Sequence, residues 1–60
     1  MDIILKKQIT DKNGTEHNFA KVRGLFGKAW AFLDDDGDFM FPLHVTEKSI
    51  LNEIDIIANG

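Results

Sequence analysis

Six side chains in this 60-residue chain have the chemistry to hold an unpaired nucleic-acid strand: Lys21, Arg23, Lys28, Trp30, Phe32 and Met40. Aromatic side chains on an open sheet face stack bases, at about 1–3 kcal/mol per base, while lysine and arginine beside them contact the backbone phosphates. Their spacing is that of strands. In Lys28-Ala29-Trp30-Ala31-Phe32-Leu33 small and large residues alternate, so Trp30 and Phe32 point one way and Ala29, Ala31 and Leu33 the other. In Asp38-Phe39-Met40-Phe41-Pro42 the alternation continues, with Phe39 and Phe41 opposite Met40. If Ala29, Ala31, Leu33, Phe39 and Phe41 fill the core, then Trp30, Phe32 and Met40 form one exposed patch. The reverse assignment, with Trp30 and Phe32 inside and the alanines outside, follows from the tendency of large aromatics to be buried.

The remaining polar residues offer less. The run Asp34-Asp35-Asp36-Gly37-Asp38 is rich in oxygen, but aligning Gly37 with the sixth position of a calcium loop puts Phe32 first and Leu43 twelfth, where ligands are needed. It reads as a solvated turn whose charge keeps a sheet edge from pairing with other chains and repels phosphates at its tip. His17 and His44 stand far apart with no cysteine to complete a zinc site, and read as surface or edge residues. Ser49 and Thr46 carry no sign of an activating base, and the five glycines are scattered at turns rather than gathered into a phosphate cradle. The expectation is a protein that is not an enzyme and has no metal and no cofactor.

The elements that must position these groups are short. Gly27 to Pro42 reads as a β-hairpin, in which Ala29 to Leu33 and Asp38 to about Leu43 flank the acidic turn. Pro42 marks an edge strand or a strand end. Upstream, Asp2 to Thr10 is rich in β-branched residues, and Asn13-Gly14 is a two-residue hairpin signal that predicts an antiparallel partner over Glu16 to Phe26. In that partner Ala20, Val22 and Phe26 are expected to face the core and Lys21 and Arg23 to face outward. Gly24 suggests a bulge or a sharp bend, and Gly27-Lys28 a turn. Near the C-terminal end, Thr46 suits an N-cap, Glu47 suits the positive end of a helix dipole, and Ile50, Leu51 and Ile54 recur at helical spacing. These predict a helix from about Glu47 to Glu53, after which Ile54 to Ala58 fits either a further helical turn or a fifth strand. The expected fold is mainly β: a small antiparallel β-barrel or curled sheet, OB- or SH3-like, of four to five strands with one short C-terminal helix, in one domain.

The same residues carry a resemblance. Lys28-Ala29-Trp30-Ala31-Phe32-Leu33 resembles the Lys-Gly-Phe-Gly-Phe-Ile ribonucleoprotein motif of cold-shock-type domains, with Ala for Gly and Trp for Phe. Asp38-Phe39-Met40-Phe41-Pro42 takes the place of their second motif, Asp-Val-Phe-Val-His, and an Asp/Gly-rich turn joins the two in that family as well. The proline is similar to that of the cold-shock-type domains at the front of bacterial exoribonucleases. The resemblance covers residues 28–42 and implies an OB-type barrel binding single-stranded RNA or DNA, with Trp30 and Phe32 as stacking rings and Lys28 as the flanking lysine. Met40 stands where the family has a stacking Phe, and Pro42 where it has His. The order of elements departs too. The family begins with the strand that Ala20 to Phe26 would match and adds two strands after the second motif, whereas here a strand precedes and a helix follows.

Composition bounds the partner. Seven basic residues against ten acidic ones give a net charge of −3, which offers nucleic acid no general attraction. Yet Lys6, Lys7, Lys12, Lys21, Arg23 and Lys28 lie in the first half and seven of the acids from Asp34 onward, an arrangement compatible with one basic face. The absence of cysteine fits a reducing compartment. No run approaches the roughly 20 apolar residues of a membrane span. The opening MDIILKKQ has its charges after its apolar residues, the reverse of a secretion signal, so the reading is cytoplasmic, unprocessed and away from membranes. Two functions stand side by side. One is a single-stranded nucleic-acid-binding module. The other is a small regulator or inhibitor that docks on a larger protein through the same apolar patch, as a monomer or as a homodimer formed through an edge strand or the Ile50/Ile54/Ile57 helix face.

Overall fold

The computed structural model describes residues 2–60 and contains β1 (Asp2–Thr10), β2 (Glu16–Gly24), β3 (Gly27–Phe32) and α1 (Glu47–Asn59). The strands form one antiparallel sheet in the order β1-β2-β3. No described helix is long and apolar enough to cross a membrane.

Two turns share one construction. The Asp11 carboxylate accepts from the backbone N–H of Asn13 (2.8 Å) and of Thr15 (3.1 Å), Asp11 N–H donates to the Thr15 carbonyl, and Gly14, at φ 83°, donates to the Asp11 carbonyl. Asp34 repeats every one of these contacts, with Asp36 and Asp38 N–H on its carboxylate and Gly37 at φ 84°. An aspartate that clamps two N–H groups and a glycine three places on, in the left-handed region, therefore define both turns. Asn13 keeps a negative φ, so the Asn-Gly pair is not the two-residue turn that the sequence predicts.

Asp11 also meets His17 Nε2 at 2.7 Å. That hydrogen bond, helped by the Thr15 and Asn13 N–H groups, outweighs desolvation and holds the Asp11 carboxyl below its ordinary value of 3.8. A carboxyl with a depressed folded pKa stabilises the fold above the unfolded pKa, and the contribution disappears as pH falls through the folded one. Thermal midpoints stepped downward through that range are expected to fall less steeply in Asp11→Asn than in the parent.

Register divides the residues between two faces. Phe19 lies opposite Lys7 and Phe32, Lys21 opposite Leu5 and Trp30, and Arg23 opposite Lys28, while Ala20, Val22, Ala29 and Ala31 point the other way. On the first face Phe19 packs with Ile50 and Ile54 of α1, and Ile9, Trp30, Phe32 and Leu51 surround them. On the second, Ala20, Val22 and Ala31 are buried against Leu33, Phe39 and Leu43, with Ile3 and Ala29 beside them. Each face has a core of its own. The alanines are therefore inside although the large aromatics opposite them are also half-buried.

Three strands form where the pattern predicts four or five. Over 38–43 the chain makes only isolated bridges, Leu33↔Phe39 and Trp30↔His44. Met40 N–H donates to Phe32 O and His44 N–H to Trp30 O, both at 2.7 Å, so four residues here span what two span on β3. The surplus around Pro42, which has no N–H to contribute, loops out of register. The sheet is open rather than closed into a barrel. The other differences lie at the second hairpin. β2 stops at Gly24, which pairs with Gly27, so Leu25-Phe26 is the turn and Phe26 is exposed rather than core. Gly24 opens the turn rather than forming a bulge, and the bulge lies in β1, between Ile3 and Leu5.

Helix α1 begins as expected, with Ser49 N–H donating to Thr46 Oγ1 at 3.2 Å, and continues to Asn59. Residues Ile54 to Ala58 are thus helical. Ile54 extends the buried stripe begun by Ile50, and the first turn of the chain ties down the far end: Asn13 Nδ2 donates to the Ala58 carbonyl at 2.8 Å, and Lys12 Nζ to Asn59 Oδ1. Thr46→Ala is expected to lower stability by about 1 kcal/mol in denaturant titrations, the usual cost of losing an N-cap oxygen.

Candidate functional site

Strand pairing brings five of the six nominated residues onto one sheet face. Lys21 pairs with Trp30 and Arg23 with Lys28, and Phe32 follows Trp30 by two residues along β3. Helix α1 covers only part of this face, the part built on Phe19, Trp30 and Phe32. The remainder, toward the β2–β3 turn, carries three cations and one acid: Arg23 and Lys28 are exposed, Lys21 is half-buried, and Asp2 lies opposite Arg23 on β1. None of the three takes part in an ion pair among the described residues. Like charges directly opposite each other on neighbouring strands are unfavourable, and Arg23↔Lys28 is such a pair.

Trp30 sits where the basic and the covered parts meet. Its ring is half-buried, 5.9 Å from the Phe19 ring centroid. The Lys7 ammonium stands 5.5 Å from the indole centroid and is held there by an ion pair with Glu47 at 2.8 Å. The indole is therefore neither the open platform nor the enclosed core ring that the two readings of the alternation expect. One side of it packs inside and the Lys7 cation competes for the other. An exposed pair of this kind is worth at most about 1 kcal/mol, so Lys7 is readily displaced.

Phe32 and Met40 belong to a different place. They line a groove with Phe41, Pro42 and His44 on one side and Ile57 of α1 on the other, and no lysine or arginine lines it. Glu16, Asp34, Asp35 and Glu53 give it an acidic rim. Phe32 meets His44 edge-on at 5.7 Å, and Phe41, 71% exposed, meets Phe39 in the same way at 5.6 Å. The six residues thus divide into a basic group around Trp30 and an apolar pair in an acid-rimmed groove.

Both histidines are half-buried and structural, not the surface or edge residues that the sequence suggests. His17 is held by Asp11, and His44 Nδ1 shares a hydrogen bond of 2.8 Å with Ser49 Oγ, tying the 39–44 segment to the first turn of α1. Sequence reading misses this Ser-His contact because the five-residue spacing brings the side chains together only once the helix docks. His44 lines the acid-rimmed groove and Ser49 lines none of the described grooves, so their hydrogen bond runs from the groove wall to the start of the helix. No cluster of three metal-ligating side chains occurs among the described residues. Sequence reading also misses the tip of the β2–β3 hairpin, where Leu25 and Phe26 are 95% and 101% exposed. Leu and Phe are poor turn residues, so the residue types argue against a turn here, and only the Gly24↔Gly27 pairing places it at Leu25-Phe26. Comparison with protein-family models, with curated proteins and with solved structures finds no match to this chain.

Proposed function

We propose that this protein binds single-stranded RNA or DNA, in the cytoplasm, through the uncovered part of the helix-side face. Lys21, Arg23 and Lys28 contact backbone phosphates, and Trp30 lies beside the nearest base. The observation that carries this reading is the Arg23↔Lys28 pair with Lys21 adjoining it, three cations on one face with no ion-pair partner among the described residues. A polyanion relieves their repulsion, and counterion release adds to the affinity. The likeness of residues 28–42 to cold-shock-type motifs agrees with it, and on that reading the Phe39 to His44 segment takes the place of a fourth strand in an OB-type arrangement. Recognition by charge and stacking tolerates most base sequences.

The test uses the one tryptophan in the chain. Single-stranded RNA and DNA oligonucleotides are titrated while the Trp30 fluorescence is followed at low and at moderate salt. A change that weakens as salt rises supports the proposal, and a trace that stays flat with both oligonucleotides overturns it. The acid-rimmed groove favours a second reading, a protein-interaction module that receives an apolar segment bordered by basic residues. Under that reading the oligonucleotide trace is flat.

A further inference from the structure

We infer that the β2–β3 hairpin tip is the part of the molecule that stacks on unpaired bases, with Phe26 as the ring and Leu25 beside it. The inference rests on the reading of the basic face as a single-stranded nucleic-acid site. Leu25 and Phe26 are essentially fully exposed, and nothing lies within 4 Å of where a side chain at Gly27 would start, so the tip stands clear of the rest of the fold. Fold stability gives no account of them. Turn positions favour Gly, Asn, Asp and Ser, and a leucine and a phenylalanine held in water forgo the burial that makes such side chains useful in a core. A bound state supplies that burial.

The charges behind the tip define the partner. Arg23 and Lys28 form the first side-chain pair below the Gly24↔Gly27 closure, and Lys21 with Trp30 forms the next pair on the same face, about 7 Å further along the strands. The partner is therefore anionic and presents flat apolar surface. An anionic bilayer touching a two-residue tip would reach the first pair of charges and no further. Here the exposed ring of Phe26 at the tip is followed along β3 by Lys28 and then Trp30, a succession of cation and aromatics that suits a strand of bases and phosphates. The acidic Asp34–Asp38 turn is attached to the opposite end of β3, so its charge is kept away from this path.

Because both side chains are almost fully exposed, Phe26→Ala and Leu25→Ala are expected to melt like the parent, which circular dichroism checks. Fluorescence anisotropy of labelled oligothymidylate and oligouridylate then reads affinity at two salt concentrations. Phe26→Ala should weaken binding about five- to 150-fold while leaving the slope of affinity against salt unchanged, because stacking releases no counterions. Lys28→Gln should instead flatten that slope. If the parent binds with salt sensitivity and Phe26→Ala binds equally well, the tip inference is overturned and the basic-face reading survives. If the parent binds neither oligonucleotide, both are overturned. If the parent binds phosphatidylglycerol vesicles in a Phe26-dependent way and no oligonucleotide, both are overturned in favour of a membrane surface.

Discussion

Phe19→Ala is expected to leave this protein mostly unfolded in water at room temperature. Phe19 is 1% exposed and is the largest of the fully buried side chains. It is the strand residue against which Ile50 and Ile54 of α1 pack, and Ile9, Trp30, Phe32 and Leu51 complete the cluster around it. Truncating a buried phenylalanine removes its transfer free energy and leaves a cavity, together about 3–5 kcal/mol. A chain of this length has roughly 3–9 kcal/mol in total at the usual stability per residue, so the loss is comparable with the whole. Collapse around the gap is limited because the helix is tied at both ends, by the Ser49 contact to His44 and by the Asn13 contact to Ala58. Far-ultraviolet circular dichroism and a denaturant titration test this. Ile50→Val, which removes one methylene from the same cluster, should cost only about 0.5–1.5 kcal/mol and keep a cooperative transition. A Phe19→Ala variant with a transition near that of the parent would show that α1 does not depend on this face.

The second large effect is on binding. Changing Lys21, Arg23 and Lys28 together to Gln should flatten the dependence of log affinity on log salt by about 2, since each phosphate contact to a single strand accounts for about 0.7 of that slope. Affinity at low salt should fall most, where counterion release contributes most. Stability should change little, because the three cations make no ion pairs among the described residues and the Arg23↔Lys28 repulsion is lost together with the attraction of Arg23 to Asp2 across β1. Lys6→Gln provides the control: Lys6 pairs with Ala20, so it points to the opposite face, with its ammonium near Gly37 of the acidic turn. Equal losses from Lys6→Gln and from the triple variant would mean that the protein attracts polyanions without a site.

Local chemistry was legible wherever neighbours in sequence decide the outcome. The bounds of β1, the alternation of β3 and the Thr46 cap follow from side-chain period and capping chemistry, which need no distant partner. The acidic run was legible as a turn. Its clamp by Asp34, shared with Asp11, was legible too as Asp followed by Gly three places on, a stronger signal here than Asn-Gly. The nominated basic residues met on one face because alternation of β2 and β3 puts them there once those strands pair.

What the sequence left undecided was which face of the sheet is covered and by what. Alternation states that Trp30 and Ala31 point opposite ways, but a three-stranded sheet has two sides and this chain supplies a cover to each, the helix to one and the 39–43 segment to the other. That choice depends on the docking of α1 onto Phe19 across many intervening residues, and no local period encodes it. The same holds for the helix end, where Ile54 to Ala58 becomes helical because Ile54 reaches a buried site beside Ile50, and for the missing fourth strand, where a two-residue surplus and a proline break a ladder that the residue types alone would allow. The exposure of Phe26 was likewise a tertiary decision: shifting the turn by two residues from Gly27-Lys28 to Leu25-Phe26 moved a large ring from the expected core to an exposed tip.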